Sequence, residues 1–330
     1  MKTKIRRIFS ILMLVVLILS LVTLTAGAIA KSNMAKRYPA PGQMVDVGGY
    51  KMHIYCTGQG SPTVILAAGM GDFSLTWANV QPEVAKYTRV CSYDRAGLGW
   101  SEPSRGPRTA NTMVKELHTL LVNANVEDPY VLVGHSMSGV LMRVYAHNYP
   151  KEVSGMVLVD SAHEEQMIRF PESMLKANKD MAGQARMFEL LSSTGLMALA
   201  PQNIPNPGIP DDAYAQYQAI LATTGNIEMG TVEMNAIEES YTEVRDLHIT
   251  SFGDTPLIVL SAGQAYAIPI LTDAENKQAW EVWQEMQSEL VALSSEGKQV
   301  IAEQSGHNIQ LDQPDLVIDA IREILNAVQN

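Results

Sequence analysis

The sequence is poor in cysteine, in aromatic residues and in charge, above all positive charge. Charged residues make up 18% and hydrophobic residues 46% of the 330 residues, which excludes a disordered chain and predicts a globular one. The formal net charge of -11 argues against nucleic acid or anionic lipid as the main partner. The few cysteine and histidine residues form no cluster with metal-ligand spacing, so we expect no metal.

A long uncharged run lies near the N-terminus, from Ile8 to Ala30, behind four basic residues. The run is long enough to cross a bilayer, and its basic flank predicts that the rest of the chain is exported. Small residues at 26–28 and 28–30 offer cleavage sites. We therefore expect residues 1–30 to be a signal peptide or an N-terminal membrane anchor, and the length favours the anchor. The protein would then be anchored to the outer face of the cell membrane, or secreted if cleaved.

The remainder of the chain shows the alternation of an α/β protein. Residues 31–42 are rich in proline near their end and predict a linker. Short apolar strands alternate with helices over residues 43–162, and the pattern resumes over 256–330. Residues 163–255 lack the strand pattern and predict two long helical stretches separated by a proline-rich segment. We call residues 163–255 the helical insertion.

Residues 130–145, which read YVLVGHSMSGVLMRVY, contain a candidate nucleophile. Tyr130 to Val133 predicts a buried strand, and helical spacing returns at Val140. Ser136 lies between them in the pattern of a nucleophile elbow, where small neighbours leave room for a strained backbone. The start of the helix behind it offers free N–H groups and a positive dipole to an oxyanion. An ordinary strand–helix turn with a capping serine is the alternative.

This motif resembles the nucleophile elbow of the α/β-hydrolase family, with Ser138 where a second glycine is usual. The string from Ser92 to Ser101 (SYDRAGLGWS) resembles the loop after strand four in cap-bearing serine hydrolases and esterases. The resemblance implies an α/β-hydrolase fold, with a mostly parallel eight-stranded sheet and helices on both faces. It also implies that the helical insertion is a cap after strand six.

Acyl transfer by a serine needs a base from a loop at the same edge of the sheet. His307 directly follows the last predicted strand, and its Gly306-His307 loop resembles the family's catalytic histidine loop. His135 adjoins the nucleophile but would point the other way, so we expect it to pack behind the site. The remaining histidines are expected at the surface or in helix packing: His53, His118, His147, His163 and His248.

The acid that orients this base is predicted to be Asp160, at the tip of strand six. Most family members carry the acid after strand seven, but the loop there has no acidic residue before Asp273. Asp273 would start a helix, where aspartate is a common cap. Some hydrolases, including certain lipases, carry the acid after strand six, and a buried carboxylate there needs a partner. Asp273 remains the alternative acid, whereas Asp94 and Arg95 are expected to be structural.

Two backbone N–H groups are expected to form an oxyanion hole. One belongs to Met137, the residue after the nucleophile. The resemblance places the second in the loop after strand three, where we assign Met70. The alternative for this loop is a glycine-rich turn that binds no ligand.

The two cysteines, Cys56 and Cys91, both fall in predicted strands. The family's strand order makes these strands neighbours, so a disulfide is possible in an exported protein. Two separate buried thiols are the alternative.

Methionine is frequent in the helical insertion and adapts to irregular apolar ligands. The insertion could therefore cover an apolar acyl pocket, or its methionines could pack between helices. They are Met167, Met174, Met181, Met187, Met197, Met229 and Met234.

Together these residues predict a serine hydrolase that cleaves a small-molecule carboxylic ester through an acyl-enzyme, with no cofactor. A thioesterase, an amidase or a cofactor-free haloperoxidase could use the same triad. A non-catalytic binding module on the hydrolase fold is a further alternative, because the usual acid position lacks its acid. Epoxide hydrolase and dehalogenase chemistry is disfavoured, since those branches use an aspartate nucleophile where this chain has Ser136.

Overall fold

A single twisted sheet forms the centre of the protein. The computed structural model describes residues 2–265, 267–269 and 271–329, and their side chains outside residues 2–3 and 175–185. Within these residues the sheet has eight strands: β1 (Gln43–Asp46), β2 (Lys51–Thr57), β3 (Thr63–Ala67), β4 (Val90–Tyr93), β5 (Tyr130–His135), β6 (Val153–Val159), β7 (Leu257–Ala262) and β8 (Gly297–Ala302).

The strand order is β1-β2-β4-β3-β5-β6-β7-β8. Strand β2 pairs antiparallel with β1 and β4, and every other pair is parallel. The predicted α/β-hydrolase fold with its mostly parallel sheet is therefore confirmed. The carboxyl ends of β3 to β8 share one edge of the sheet, where ligand sites of such folds lie.

Helices cover both faces of the sheet. The described helices are α1 (Lys2–Arg37), α2 (Gln81–Val84), α3 (Ala110–Asn123), α4 (Met137–Asn148), α5 (Gln166–Arg169), α6 (Glu172–Ser193), α7 (Asp211–Thr223), α8 (Asn226–Asn235), α9 (Ile237–Asp246), α10 (Asp273–Val291), α11 (Ile309–Asp312) and α12 (Pro314–Gln329). Short 3-10 helices lie at Ser74–Trp77, Met197–Leu199 and Pro201–Asn203.

The core consists of two apolar layers that the sheet separates. In β3, Ile65 and Ala67 pack on the side of α3 and α4, whereas Val64 and Leu66 pack on the side of α2 and α12. Successive side chains of a strand point to opposite faces, so a central strand buried on both faces reads as a continuous apolar run. The buried strands are therefore recognisable in the sequence as continuous apolar runs, in which polar and apolar residues do not alternate.

The helical insertion lies between β6 and β7 and contains five helices, so the prediction of two long ones was wrong. Pro171 precedes α6, because proline favours the first turn of a helix and cannot continue a preceding one. Gly225 separates α7 from α8, and Ala236 separates α8 from α9. The side chain of Met181 lies outside the described residues.

Helix α1 extends to Arg37, so the predicted linker of residues 31–42 was wrong for its first seven residues. Basic residues in the last turn stabilise the helix C-terminus. Pro39 and Pro41 end the helix, because a residue before proline avoids the helical region. Within the described residues, one helix, spanning Lys4–Arg37, is long and apolar enough to cross a membrane, as a signal peptide or an anchor would be.

A disulfide joins Cys56 and Cys91. The two residues lie directly opposite each other in the register of the antiparallel strands β2 and β4. The bridge closes a loop with a sequence separation of 35 residues, which restricts the unfolded chain.

Reduction of this disulfide is expected to lower the free energy of unfolding by about 2–4 kcal/mol. Urea denaturation of the wild type with and without dithiothreitol measures the change. The Cys56→Ala/Cys91→Ala double variant serves as a control, because dithiothreitol should not affect it. Equal stability of the oxidised and reduced wild type would contradict this expectation.

Candidate active site

Ser136 lies in a strained turn between β5 and α4. Its φ of 53° and ψ of -125° cost about 1–3 kcal/mol for a residue with a side chain. The Ser136 N–H donates to the carbonyl of Val159 at 3.1 Å. The Ser136 carbonyl accepts from the N–H groups of Gly139 and Ala162. These bonds tie the turn to the end of β6 and hold the serine in place.

Two glycines make this turn possible. A Cβ on Gly134 would lie 2.5 Å from the carbonyl oxygen of Ser138, and a Cβ on Gly139 would lie 2.1 Å from Oγ of Ser161. The serine at the position of the usual second glycine is also accommodated, since Oγ of Ser138 donates to the carbonyl of Ala68 at 2.5 Å. The required clearance is therefore at Gly139, one residue later than the family pattern.

A continuous chain of hydrogen bonds links Ser136, His307 and Asp160. Oγ of Ser136 lies 2.9 Å from Nε2 of His307, and Nδ1 of His307 lies 2.7 Å from Oδ2 of Asp160. The Asp160 side chain is 2% exposed, whereas that of His307 is 41% exposed. The carboxylate is thus shielded from water, whereas the imidazole is accessible to water.

The alternative acid, Asp273, is not the residue that contacts His307. It is the first residue of α10 and is exposed. The cap of this helix is Thr272, which forms a capping box with Glu275. The Nδ1 atom of His307 contacts Asp160 instead.

The Asp160 carboxylate receives two further hydrogen bonds through Oδ1. The Ala262 N–H donates at 2.9 Å, and the indole Nε1–H of Trp283 donates at 3.0 Å. Both carboxylate oxygens are therefore satisfied, as burial of a charge requires. Sequence reasoning did not identify this role of Trp283. Its signal was weak, because a buried indole needs an acceptor but the sequence does not identify which one.

His135 supports the loop that carries His307. Its Nε2 contacts the His307 carbonyl at 2.9 Å, so this nitrogen carries the proton. Its Nδ1 accepts from the Gln310 amide at 3.3 Å. Burial, with a further contribution from the neighbouring His307, lowers the pKa of His135 to about 3. His135 therefore stays neutral and lies behind the site, as expected.

Arg95, which follows β4, is buried and anchors the loop after β3. Its guanidinium forms two hydrogen bonds with Glu233 of α8, with Nε–Oε1 at 2.6 Å and Nη2–Oε2 at 2.8 Å. It also donates to the carbonyls of Ala68 at 2.6 Å and Gly69 at 2.7 Å. Sequence reasoning gave Arg95 a structural role but identified no partner for it.

Helix α8 holds the same loop from the other side. The carboxylate of Glu233 accepts from the Gly71 N–H at 2.9 Å, and the Asn226 amide donates to the Gly71 carbonyl at 2.9 Å. Met70 lies between the two held residues, Gly69 and Gly71. The position of the Met70 backbone thus depends on an ion pair that links the sheet to the helical insertion.

Asp94 and His53 form a separate buried pair. Nδ1 of His53 lies 2.8 Å from Oδ2 of Asp94, whose Oδ1 accepts from the Ser74 N–H at 2.7 Å. Although burial raises the pKa of Asp94, His53 and backbone donors outweigh it and hold this pKa below its usual value. Asp94 is structural, as expected, but His53 lies in a buried strand rather than at the surface or in helix packing.

A cavity of about 640 Å³ opens beside Ser136, which is within the usual range for small-molecule sites. The predicted oxyanion residues Met70 and Met137 line it together with His307. Met137 is the first residue of α4, so its N–H has no partner within the helix. Much of the wall is apolar, including Phe170, Met174, Ile237, Trp280 and Trp283.

A second cluster of polar groups lies outside the cavity wall. Ligand atoms of His163, Glu165 and Glu289 lie within 4.8 Å of one another, a grouping that the sequence spacing did not reveal. The guanidinium of Arg169 donates to Glu289 at 2.7 Å and to Glu165 at 3.4 Å. Arg169 therefore supplies positive charge to these carboxylates.

Comparisons with known proteins agree with the fold. A family model for the alpha/beta hydrolase fold matches residues 62–194. The uncharacterized protein YqjL of Bacillus subtilis is 27% identical over 267 residues, covering 81% of this chain and 85% of YqjL. Epoxide hydrolase CorEH superposes with a TM-score of 0.62 at 18% identity, over 86% of this chain and 98% of CorEH. A thermophilic esterase from Thermogutta terrifontis gives 0.59 at 21% identity, over 87% of this chain and 97% of the esterase.

A strained strand–helix turn at the carboxyl edge of a mostly parallel sheet defines the class of protein. The chain has the α/β-hydrolase fold. The fold supports a hydrolase that acts on a small molecule.

The ion pair of Arg95 and Glu233 yields a test. Glu233→Gln leaves a buried guanidinium without its counter-charge and is expected to lower the free energy of unfolding by about 3–5 kcal/mol. Glu238→Gln, on an exposed side chain of the same insertion, should change it by less than about 0.5 kcal/mol. Urea denaturation measures both, and equal stability of the two variants would refute the importance of this pair.

The lowered pKa of His135 predicts a pH dependence of stability. The unfolded chain binds a proton here below about pH 6.5, whereas the folded protein does not until about pH 3. Stability therefore falls as the pH drops between these values, with a contribution of up to about 1.4 kcal/mol per pH unit. His135→Gln should lose this part of the slope in urea denaturation, and His147→Gln, at an exposed site, should retain it. Parallel slopes for the wild type and His135→Gln would contradict the assignment.

Proposed function

We propose that this protein is a serine hydrolase that cleaves a carboxylic ester through an acyl-enzyme. The observation that carries the proposal is the hydrogen-bonded chain from Ser136 through His307 to Asp160, placed at the wall of an apolar cavity. In this proposal the three residues are nucleophile, base and orienting acid. The helical insertion, residues 163–255, acts as a cap over the site, and the core comprises residues 43–162 and 256–330.

The reaction begins when Nε2 of His307 removes the proton from Oγ of Ser136 as this oxygen attacks the ester carbonyl. The protonated imidazole donates to Asp160, whose charge stabilises it and fixes its tautomer. The proton then passes from His307 to the departing alcohol. An ester bond now joins Ser136 to the acyl group.

Water completes the cycle. His307 is exposed enough for a water molecule to approach Nε2, which takes a proton as the water attacks the acyl carbonyl. The backbone N–H groups of Met70 and Met137 stabilise the oxyanion in both steps. The acid leaves, and the proton returns to Oγ of Ser136. These steps use only the chain's own residues and water.

The substrate class follows from the cavity. Its apolar wall favours an ester with an apolar acyl group, because burial of such a group contributes about 25 cal/mol per Å². Its volume accommodates a small molecule.

The location of the protein is part of the proposal. The apolar helix α1 and a disulfide both support export, since disulfides persist in oxidising compartments. We place the folded domain outside the cell membrane.

A matched pair of variants tests the acid. Asp160→Asn is expected to lower kcat by on the order of 10⁴-fold, because the imidazole loses its orienting charge. Asp273→Asn should retain wild-type kcat. Steady-state kinetics on a panel of p-nitrophenyl esters of increasing chain length measures both, with a thioester and an anilide included. Loss of turnover in Asp273→Asn alone would overturn the assignment of Asp160.

The nucleophile is tested separately. A fluorophosphonate probe should label the wild type and fail to label Ser136→Ala. Absence of labelling in the folded wild type would favour a non-catalytic binding module. Labelling combined with turnover of the thioester or anilide alone would keep the serine mechanism and reject the ester.

A further inference from the structure

The last turns of helix α1 are packed against the helical insertion. Gly27 is buried, and a Cβ on it would lie 3.0 Å from backbone atoms of Gly195. A Cβ on Gly195 would in turn lie 2.5 Å from the carbonyl oxygen of Gly27. The ammonium of Lys31 donates to the carbonyl of Ser192 at 3.3 Å. The two backbones therefore touch at a pair of glycines.

An apolar cluster extends this contact. Ala30 and Met34 of α1 pack against Ala198, Ile204 and Ala222 of the insertion. Earlier in the helix, the large apolar side chains between residues 5 and 24 are exposed. Helix α1 thus has a docked part near its C-terminus and an uncovered apolar part before it.

The length of the apolar run fixes where the docked part lies in a membrane. Ile8 to Ala30 comprises 23 residues, about 34 Å of helix, against about 30 Å of bilayer hydrocarbon. Gly27 lies three residues, roughly 4–5 Å, before the end of this run. A helix that spans the bilayer therefore brings Gly195 of the insertion to the outer edge of the hydrocarbon.

Exposed apolar side chains flank this point of the insertion. Met187, Phe188 and Leu190, near the end of α6, are 61%, 52% and 57% exposed, and Leu199 is 44% exposed. They lie within a few residues of Ser192 or Gly195 in the chain. A group of large exposed apolar residues of this kind marks an interaction surface. We call these four residues the membrane face.

We propose that α1 is retained as an anchor and that the membrane face inserts into the outer leaflet of the bilayer. Two arguments support lipid as the occupant: the face lies close in the chain to the contact with a helix able to span the bilayer, and a spanning helix would bring the docked glycine pair to the outer edge of the hydrocarbon. Cleavage after residue 28 or 30 would remove Gly27 and its contact with Gly195. The acidic chain favours insertion of apolar groups into a zwitterionic surface over attraction to anionic lipid.

The arrangement also specifies the source of the substrate, a step that rests on the proposed function. Helix α6 carries Met174 in the wall of the cavity and Phe188 in the membrane face. The two residues are about 20 Å apart along the helix. An ester whose acyl chain is dissolved in the bilayer would therefore enter from the surface on which the insertion rests.

Fluorescence in membranes tests the face without reference to activity. Full-length Phe188→Cys, labelled with NBD and reconstituted in phosphatidylcholine vesicles, should show a blue-shifted emission that nitroxide lipids quench. Val122→Cys is the control. This exposed residue lies at the C-terminal end of α3, which precedes β5, and so at the sheet edge opposite to the carboxyl edge that carries Ser136. Equal emission and equal lack of quenching at the two positions would overturn the proposal. So would recovery of the expressed protein without its first 28 or 30 residues.

Kinetics tests the source of the substrate. Phe188→Glu/Leu190→Glu should lower kcat/KM at least about tenfold for a long-chain ester embedded in phosphatidylcholine vesicles. The same variant should hydrolyse soluble p-nitrophenyl acetate at the wild-type rate, as Val122→Glu should for both substrates. An unchanged rate on the embedded ester would refute delivery from the membrane. If the wild type hydrolyses neither ester, the proposed function fails, and the fluorescence result still decides the membrane face.

Discussion

Two buried charges at the carboxyl edge of the sheet determine how the surrounding loops are held. The side chains of Asp160 and Arg95 are almost completely shielded from water, where an unpaired charge would be strongly destabilising. Asp160 accepts hydrogen bonds from His307 and Trp283, and Arg95 is paired with Glu233 and donates to the loop after β3. Because these partners come from separate elements, pairing the two charges also fixes the relative positions of the elements around the cavity.

This arrangement makes the helical insertion an integral part of the site. Glu233 connects it to the loop that contains Met70, and Gly195 connects it to helix α1. Under the proposals made above, the insertion contacts the oxyanion loop on one side and the membrane helix on the other. A backbone N–H group that such contacts hold in place, as proposed for Met70, is effective in catalysis because it does not need to reorient during the reaction.

The sequence predicted most of the sheet and the three polar residues beside the cavity. Continuous apolar runs such as β3 identify buried parallel strands, and the motif around Ser136 identifies a strand that turns directly into a helix. Asp160 and His307 were chosen by combining the resemblance of their loops to the hydrolase family with one topological fact: parallel strands end at a common edge.

The remaining features depend on contacts between residues far apart in the sequence. The role of Trp283 was not predicted, because nothing in a helix pattern reveals that its indole meets a carboxylate 123 residues earlier. Glu233 lies 138 residues after Arg95, and no local pattern pairs them. His53 was misplaced because its buried partner, Asp94, lies 41 residues later in the chain, and no local pattern pairs them. The breaks in the insertion were missed since residues such as Ala236 favour helix and interrupt it only in their tertiary setting.

The disulfide between Cys56 and Cys91 has a consequence for motion. The covalent ring that it closes encloses β3 and the turn with Met70, while Glu233 restrains the same turn from outside the ring. The covalent ring and the polar contacts of Arg95, Asn226 and Glu233 therefore limit the excursions of this turn. If the insertion swings away to admit a ligand, the contacts of Asn226 and Glu233 are released, whereas the ring and the contacts of Arg95 remain and still restrain the turn.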